Sequence, residues 1–278
     1  ILKIHSRKKP FSEDVDLSLI AHRTPGFSGA DLYSLMNEGA ILAARENRKS
    51  IAQFDLIRSI EKVMMGPERK SHILSKKEKE ITAYHEVGHA LVASVLPYSD
   101  PVHKISIISR GRAAGYTLKL PEHDRKMHSK KEFIADIAMT LGGYVTEKMV
   151  FGDLTTGPSN DLQVATALAR DMVTKYGMSD KLGPVALEGN GGRTMFGQGV
   201  EDKEYSDKVN AEIDAEVSRF IHEGIQTAET VLTTHRKALD MISARLIETE
   251  TLEREEYEKL LTANGIVLEK RRDIEHQA

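Results

Sequence analysis

Apolar residues recur at helical spacing along most of this chain, and only two short segments alternate instead. In SGADLYSLMNEGAILAARENRK, Leu32, Leu35, Met36, Ala40, Ala43 and Ala44 share one face of a helix, and Ser28 stands where an N-cap belongs. DVDLSLIAHRT before it reads as a shorter amphipathic piece, and FDLIRSIEKVMM after it as a further helix stopped by Gly66 and Pro67. The basic, polar MGPERKSHILS then reads as a linker between domains. Beyond it, Ser75 and Glu78 form a capping-box signature ahead of a helix that runs through ITAYHEVGHALVA and ends at Pro97.

KISIIS and GYTLKL have the composition of short strands, joined into a hairpin by RGRAAG. A helix over roughly 132–149 follows, then the loop FGDLTTGPSN, then the helix DLQVATALARDMVTKYG with a glycine at its end. GPVALEGNGGRTMFGQG reads as a flexible surface loop. The remainder reads as a helical hairpin plus a short third helix. Val209, Ile213, Val217 and Ile221 form one stripe, and Ala228, Val231, Leu239, Ile242 and Leu246 belong to the next. The expected fold is mainly α with one small β-sheet.

Composition narrows the chemistry. The 278 residues carry a net charge of -3, which gives no global attraction for nucleic acid, so none is expected as a partner. With no cysteine, disulfides, thiolate zinc sites and cysteine nucleophiles are excluded. No apolar run approaches the roughly 20 residues that span a bilayer. The opening ILKIHSRKKP lacks both an initiator methionine and a signal-like core, so the chain is expected to be a piece of something longer.

The sharpest chemistry lies in His85-Glu86-Val87-Gly88-His89. Residues i and i+4 of a helix lie one turn apart on one face, so both imidazoles can address one ion. Neutral imidazole is a preferred zinc ligand, and zinc lowers the pKa of water to about 7. Glu86, turned about 100° from His85, is placed to take a proton rather than to ligate. Gly88 leaves room for another segment to approach. Two histidines at this spacing alone also suit an ordinary core helix; the intervening glutamate and the apolar flanks Ile81, Val92, Val95 and Leu96 favour the zinc site.

A catalytic zinc needs a third protein ligand. No further histidine follows in metzincin register, and the next glutamate after Glu86 is Glu122. The candidates are Glu122, Asp124, Glu132, Asp136, Glu147, Asp153 and Asp161. Asp161 stands out by opening an amphipathic helix after TTGPSN, a place a helix dipole alone also explains. Glu147 is a candidate third ligand or an acceptor for a histidine N–H.

HEVGHALVA, PVHKISIISRGRAAGYT, LGGYVTEKMVFG, TTGPSNDLQVAT and YGMSDKLGP together resemble the peptidase domain of the FtsH-type ATP-dependent zinc metalloproteases. TPGFSGADLYSLMNEGAILAAR and KVMMGPERK resemble the helical lid that ends the AAA+ module of that family. The resemblance implies a lid over 1–68 and a zinc metallopeptidase domain over 69–278, with a zinc-binding part about 75–185 and a helical part about 200–270. It implies one zinc per chain on His85, His89 and Asp161, with Glu86 as catalytic acid/base and Glu147 beside a histidine. LGGYVTEK departs from the family's LGGRAAEE, which affects the surroundings of that helix and not the ligands.

Gly29 and Ala30 resemble a lid segment that touches nucleotide, but no GxxxxGK[ST] is present, so ATP and magnesium are expected only in a full-length protein. The resemblance further implies a homo-hexamer that degrades unfolded or membrane proteins. Its place is the cytoplasmic side of a bacterial inner membrane or an organellar membrane, through segments this chain lacks. Gly115, Tyr116 and Thr117 form a candidate edge for an extended substrate. The rival readings are a degenerate peptidase serving as a binding module, against which the intact Glu86 speaks, and an unrelated zinc hydrolase of small amides.

Overall fold

Serine-headed capping boxes start three of the longer helices, each satisfying N–H groups that a helix cannot pair internally. In one of them the Ser75 N–H donates to Glu78 Oε2 at 2.8 Å and the Glu78 N–H returns to Ser75 Oγ at 3.2 Å. The computed structural model describes residues 1–67, 74–110, 113–120, 127–187 and 206–267. Most of the linker, the tip of the RGRAAG turn, Glu122, Asp124 and most of the loop after Gly183 lie outside the described residues.

The N-terminal helices are α1 (Leu2–His5), α2 (Leu17–His22), α3 (Gly29–Arg45) and α4 (Gln53–Met65). Ile20, Leu35, Met36, Leu56 and Ile60 close their shared apolar core. α1 has no counterpart among the predicted elements, being a single turn without a periodic stripe. Helix α5 (Lys76–Val95) carries the HExxH segment and is buried from His85 through Ala93. It packs on α10 (Arg236–Thr249) through Leu91, Leu239, Ile242 and Leu246. Helices α6 (Lys130–Thr140), α8 (Ser159–Thr174) and α9 (Asp207–Thr234) build a further core around Ile137, Met172 and Phe220.

Two expectations are corrected. The single helix over 132–149 is two, α6 and α7 (Gly142–Phe151), broken at Leu141. The cause is the glycine pair that follows, which brings the α7 backbone against α5. A Cβ on Gly142 would stand 2.9 Å from the Gly88 carbonyl oxygen, and one on Gly143 within 2.4 Å of the His85 ring. Gly88 reciprocates: its Cβ would meet Gly142 O at 2.8 Å, so the segment that approaches Gly88 is α7.

The hairpin of β1 (Val102–Ser106) and β2 (Tyr116–Lys119) is present, but a third strand, β3 (Thr251–Glu253), joins it ahead of the last helix, α11 (Arg254–Ala263). Three residues between two helical stripes leave no alternation to read. The strand order β2-β1-β3 makes β2 an edge. Among the described residues no helix is long and apolar enough to cross a membrane.

Candidate metal centre

His85 and His89 project from the middle of α5, one turn apart, and their rings meet edge to face with centroids 4.6 Å apart. Each ring has its Nδ1 committed elsewhere. His85 Nδ1 donates to Glu147 Oε1 on α7 at 2.8 Å, and His89 Nδ1 donates to the Met139 carbonyl at the end of α6 at 2.8 Å. Because a carboxylate and a carbonyl only accept, both Nδ1 atoms carry hydrogen, and a neutral ring then presents a bare Nε2. Those two Nε2 atoms face each other at 3.0 Å. Asp161, in the first turn of α8, brings Oδ2 to 3.3 Å from His85 Nε2 and 3.6 Å from His89 Nε2.

Three acceptors converging in a mostly buried space need positive charge between them. One ligand atom from each of His85, His89 and Asp161 lies within 4.8 Å of the others, a grouping that can hold a metal ion. Burial opposes charge on His85, but hydrogen bonds to the Asp161 and Glu147 carboxylates outweigh it and push the imidazole up to about 10. Burial likewise works against the Asp161 carboxylate, yet His85 and His89 hold it well below the usual carboxylate range. Two imidazole nitrogens and one carboxylate oxygen are the donor set of an open zinc site, so the residues fit that ion.

Glu86 is buried beside this cluster, and burial raises its carboxyl pKa against the pull of His85, His89 and Thr117. The Thr117 hydroxyl lies 2.9 Å from both Glu86 Oε2 and the Glu86 carbonyl. Gly115 presses from the same strand end: a Cβ there would sit 2.9 Å from Glu86 Cγ. All of these open onto one cleft of ≈ 910 Å³, walled on one side by Gly115, Thr117 and Lys119 and on the other by Thr156 and Gly157.

The structure thus brings together His85, Glu86, His89, Glu147 and Asp161, with Gly115, Tyr116 and Thr117 along the cleft wall. Glu147 is buried rather than exposed, and Thr155 holds its second oxygen through N–H and hydroxyl at 2.9 and 2.8 Å. The other acids are elsewhere. Glu132 caps α6, Asp136 pairs with Lys119 at 3.4 Å, and Asp153 is exposed and accepts from the Leu154 N–H. Gly29 and Ala30 open α3 and are not part of the cleft. Sequence reasoning missed the Met139 carbonyl, Gly143 and Thr155 as supports. LGG, with its tight glycine pair before an inward-facing acid, was the available signal for Gly143.

The Peptidase family M41 pattern matches residues 72–260, more than half of the chain. The chain belongs to peptidase family M41. The matched span holds all five clustered residues, and an AAA+ lid domain pattern matches residues 14–55. Relatives include an ATP-dependent zinc metalloprotease FtsH of Rubrobacter xylanophilus, 48% identical over 94% of this chain and 40% of its own length. The ATP-dependent zinc metalloprotease FtsH 1 of Thermomicrobium roseum is 51% identical over 94% of this chain and 40% of its own length. The ATP-dependent zinc metalloprotease FtsH 3 of Synechocystis sp. is 47% identical over 96% of this chain and 44% of its own length. The chain therefore spans about 40% of the length of these relatives.

Proposed function

We propose that this chain is a zinc-dependent endopeptidase, with His85, His89 and Asp161 as the metal ligands and Glu86 as the general acid/base. The observation that carries the reading is the convergence of two bare imidazole nitrogens and a carboxylate oxygen beside a buried glutamate on an open cleft. Held by His85, His89 and Asp161, zinc would supply Lewis acidity at the site and would lower the pKa of water to about 7. Glu86 takes the proton of the attacking water and passes it to the leaving amine. Burial works to raise its carboxyl pKa, against the pull of His85 and His89. Thr117 and Gly115 fix its rotamer, while Glu147 and the Met139 carbonyl fix the tautomers of the two histidines.

An extended substrate pairs with the open edge of β2, using backbone groups of Gly115, Tyr116 and Thr117, which suits cleavage of many unfolded sequences. We assign residues 1–68 to the lid of an AAA+ module and 69–278 to the peptidase domain. In a full-length protein an ATP- and magnesium-dependent motor feeds unfolded or membrane proteins to this site, with Gly29 and Ala30 near the nucleotide. The assembly is a homo-hexamer held at a membrane by segments outside this chain.

The test is cleavage of an unfolded protein and of a fluorogenic peptide by the zinc-loaded chain and by Glu86→Gln. Cleavage by the wild type, lost by about a hundred-fold or more in the variant with zinc retained, is the expected result. Equal cleavage by both would remove Glu86 from the chemistry. Hydrolysis of small amides only would favour a different zinc hydrolase.

A further inference from the structure

Glu61 lies on α4 at 2% exposure and belongs to neither matched span, since the AAA+ lid pattern ends at residue 55 and the M41 pattern begins at residue 72. Its carboxylate gathers three donors from the β1–β2 hairpin. Lys104 Nζ on β1 lies 3.4 Å from Oε1 and 3.2 Å from Oε2. Arg110 Nη2 and the Tyr116 hydroxyl both reach Oε2 at 3.3 Å. Arg110 also stacks over the Tyr116 ring at 5.4 Å and donates to the Gly66 carbonyl at 3.3 Å, next to the end of α4. One buried acid from the N-terminal helices therefore grips both strands of the hairpin.

The strand it grips has two faces, because side chains alternate along a strand. Tyr116, Leu118 and Leu120 point into the core of α2, α3 and α4. Gly115, Thr117 and Lys119 line the cleft. Tyr116 is thus held by Glu61 on one side, while its two chain neighbours touch Glu86 on the other. The strand pairs Ser106 with Tyr116 and Ile105 with Thr117, and the register shifts between Val102 and Lys104 at the far end. A slip of one residue would turn Thr117 away from Glu86.

We propose that Glu61 is a positioning residue for the candidate active site: by anchoring Tyr116 and Lys104 it sets the depth and register at which β2 holds Glu86. The N-terminal helices then govern the chemical step through a strand rather than through the metal. This rests on the reading of Glu86 as the acid/base. Placement matters at this scale, since displacing a catalytic group by about 1 Å costs on the order of a hundred-fold in rate.

The experiment compares Glu61→Gln, Tyr116→Phe and Asp55→Asn in the zinc-loaded 278-residue chain. Asp55 is a control for the same helix: it is fully buried and paired with Arg48 at 2.6 Å, away from the sheet. Zinc content, kcat and KM for a fluorogenic peptide, and backbone amide exchange over residues 115–119 are read for each. The proposal expects Glu61→Gln to keep its zinc, lose about ten-fold or more in kcat, and exchange faster over 115–119. Tyr116→Phe should fall between it and the wild type, and Asp55→Asn should change neither quantity, whatever it does to Tm. Unchanged exchange over 115–119 in Glu61→Gln, an effect on KM alone, or an equal kcat loss in Asp55→Asn would overturn it. If the wild type bound zinc but cut nothing, the peptidase reading would fail separately, and the exchange comparison would still decide whether Glu61 anchors β2.

Discussion

Glu147 and His85 sit 62 residues apart in the chain and 2.8 Å apart in space, with the Glu147 carboxylate accepting the Nδ1 proton of His85. The contact leaves Nε2 of His85 facing Asp161 and His89. A carboxylate behind a metal-binding histidine fixes its tautomer and raises its basicity.

Loss of that support should therefore weaken metal binding without abolishing it. Glu147→Gln is expected to lower zinc affinity by about ten-fold, within the range found for such outer partners. Competition against a fluorescent chelator measures it, and an unchanged affinity would mean that His85 is oriented by Gly143 and its helix alone.

The Thr117 hydroxyl is the polar contact that links β2 to the Glu86 carboxylate. Thr117→Val keeps the shape of the side chain and removes the bond. A hydrogen bond to a charged group contributes about 1.5–3 kcal/mol, so kcat should fall by roughly ten-fold or more while zinc content stays at one per chain. Steady-state kinetics on a short peptide, run beside elemental analysis, checks both halves.

Gly88 and Gly142 face each other where α5 and α7 cross, and a Cβ on Gly88 would stand 2.2 Å from Thr146 Oγ1 as well as 2.8 Å from Gly142 O. The threonine can turn away, but the backbone oxygen cannot. Gly88→Ala should destabilise the fold by about 1–3 kcal/mol, and adding Thr146→Ala should recover only part of that. Urea unfolding of the three variants decides it; full recovery would show that Thr146 was the sole obstacle.

These contacts show what was legible in the sequence. Capping of α3 and α5, the buried face of α5 and the β1–β2 hairpin follow from signals within a few residues of each other. The pairing of His85 with Glu147, of Thr117 with Glu86 and of Glu61 with Tyr116 involves residues 31 to 62 positions apart, which no local period encodes. Asp161 stood out only as an acid opening a helix, and the family resemblance rather than any local period pointed to it as a ligand; α8 brings its Oδ2 to 3.3 Å from His85 Nε2. The break at Leu141 was hidden because glycine tolerated in a helix and glycine required for close approach look alike in sequence.

Acid sensitivity has a specific contributor in His103. Burial, then the nearby positive charge of Arg23, holds its imidazole down at about 4 in the folded chain. An unfolded histidine titrates near 6.5. Between those values the unfolded state binds the extra proton, so stability rises with pH across that window and is lost as pH falls through it. His103→Gln should lose less Tm than the wild type between pH 7 and pH 5. An identical loss in both would place the acid sensitivity elsewhere.

The most direct measurement is zinc bound per chain, by elemental analysis after stripping and reconstitution, for the wild type beside Asp161→Ala. The account predicts about one zinc in the wild type and clear loss in the variant, because two imidazoles alone leave the ion short of a protein ligand. Zinc retained equally by both chains would contradict the three-residue site and remove Asp161 from it.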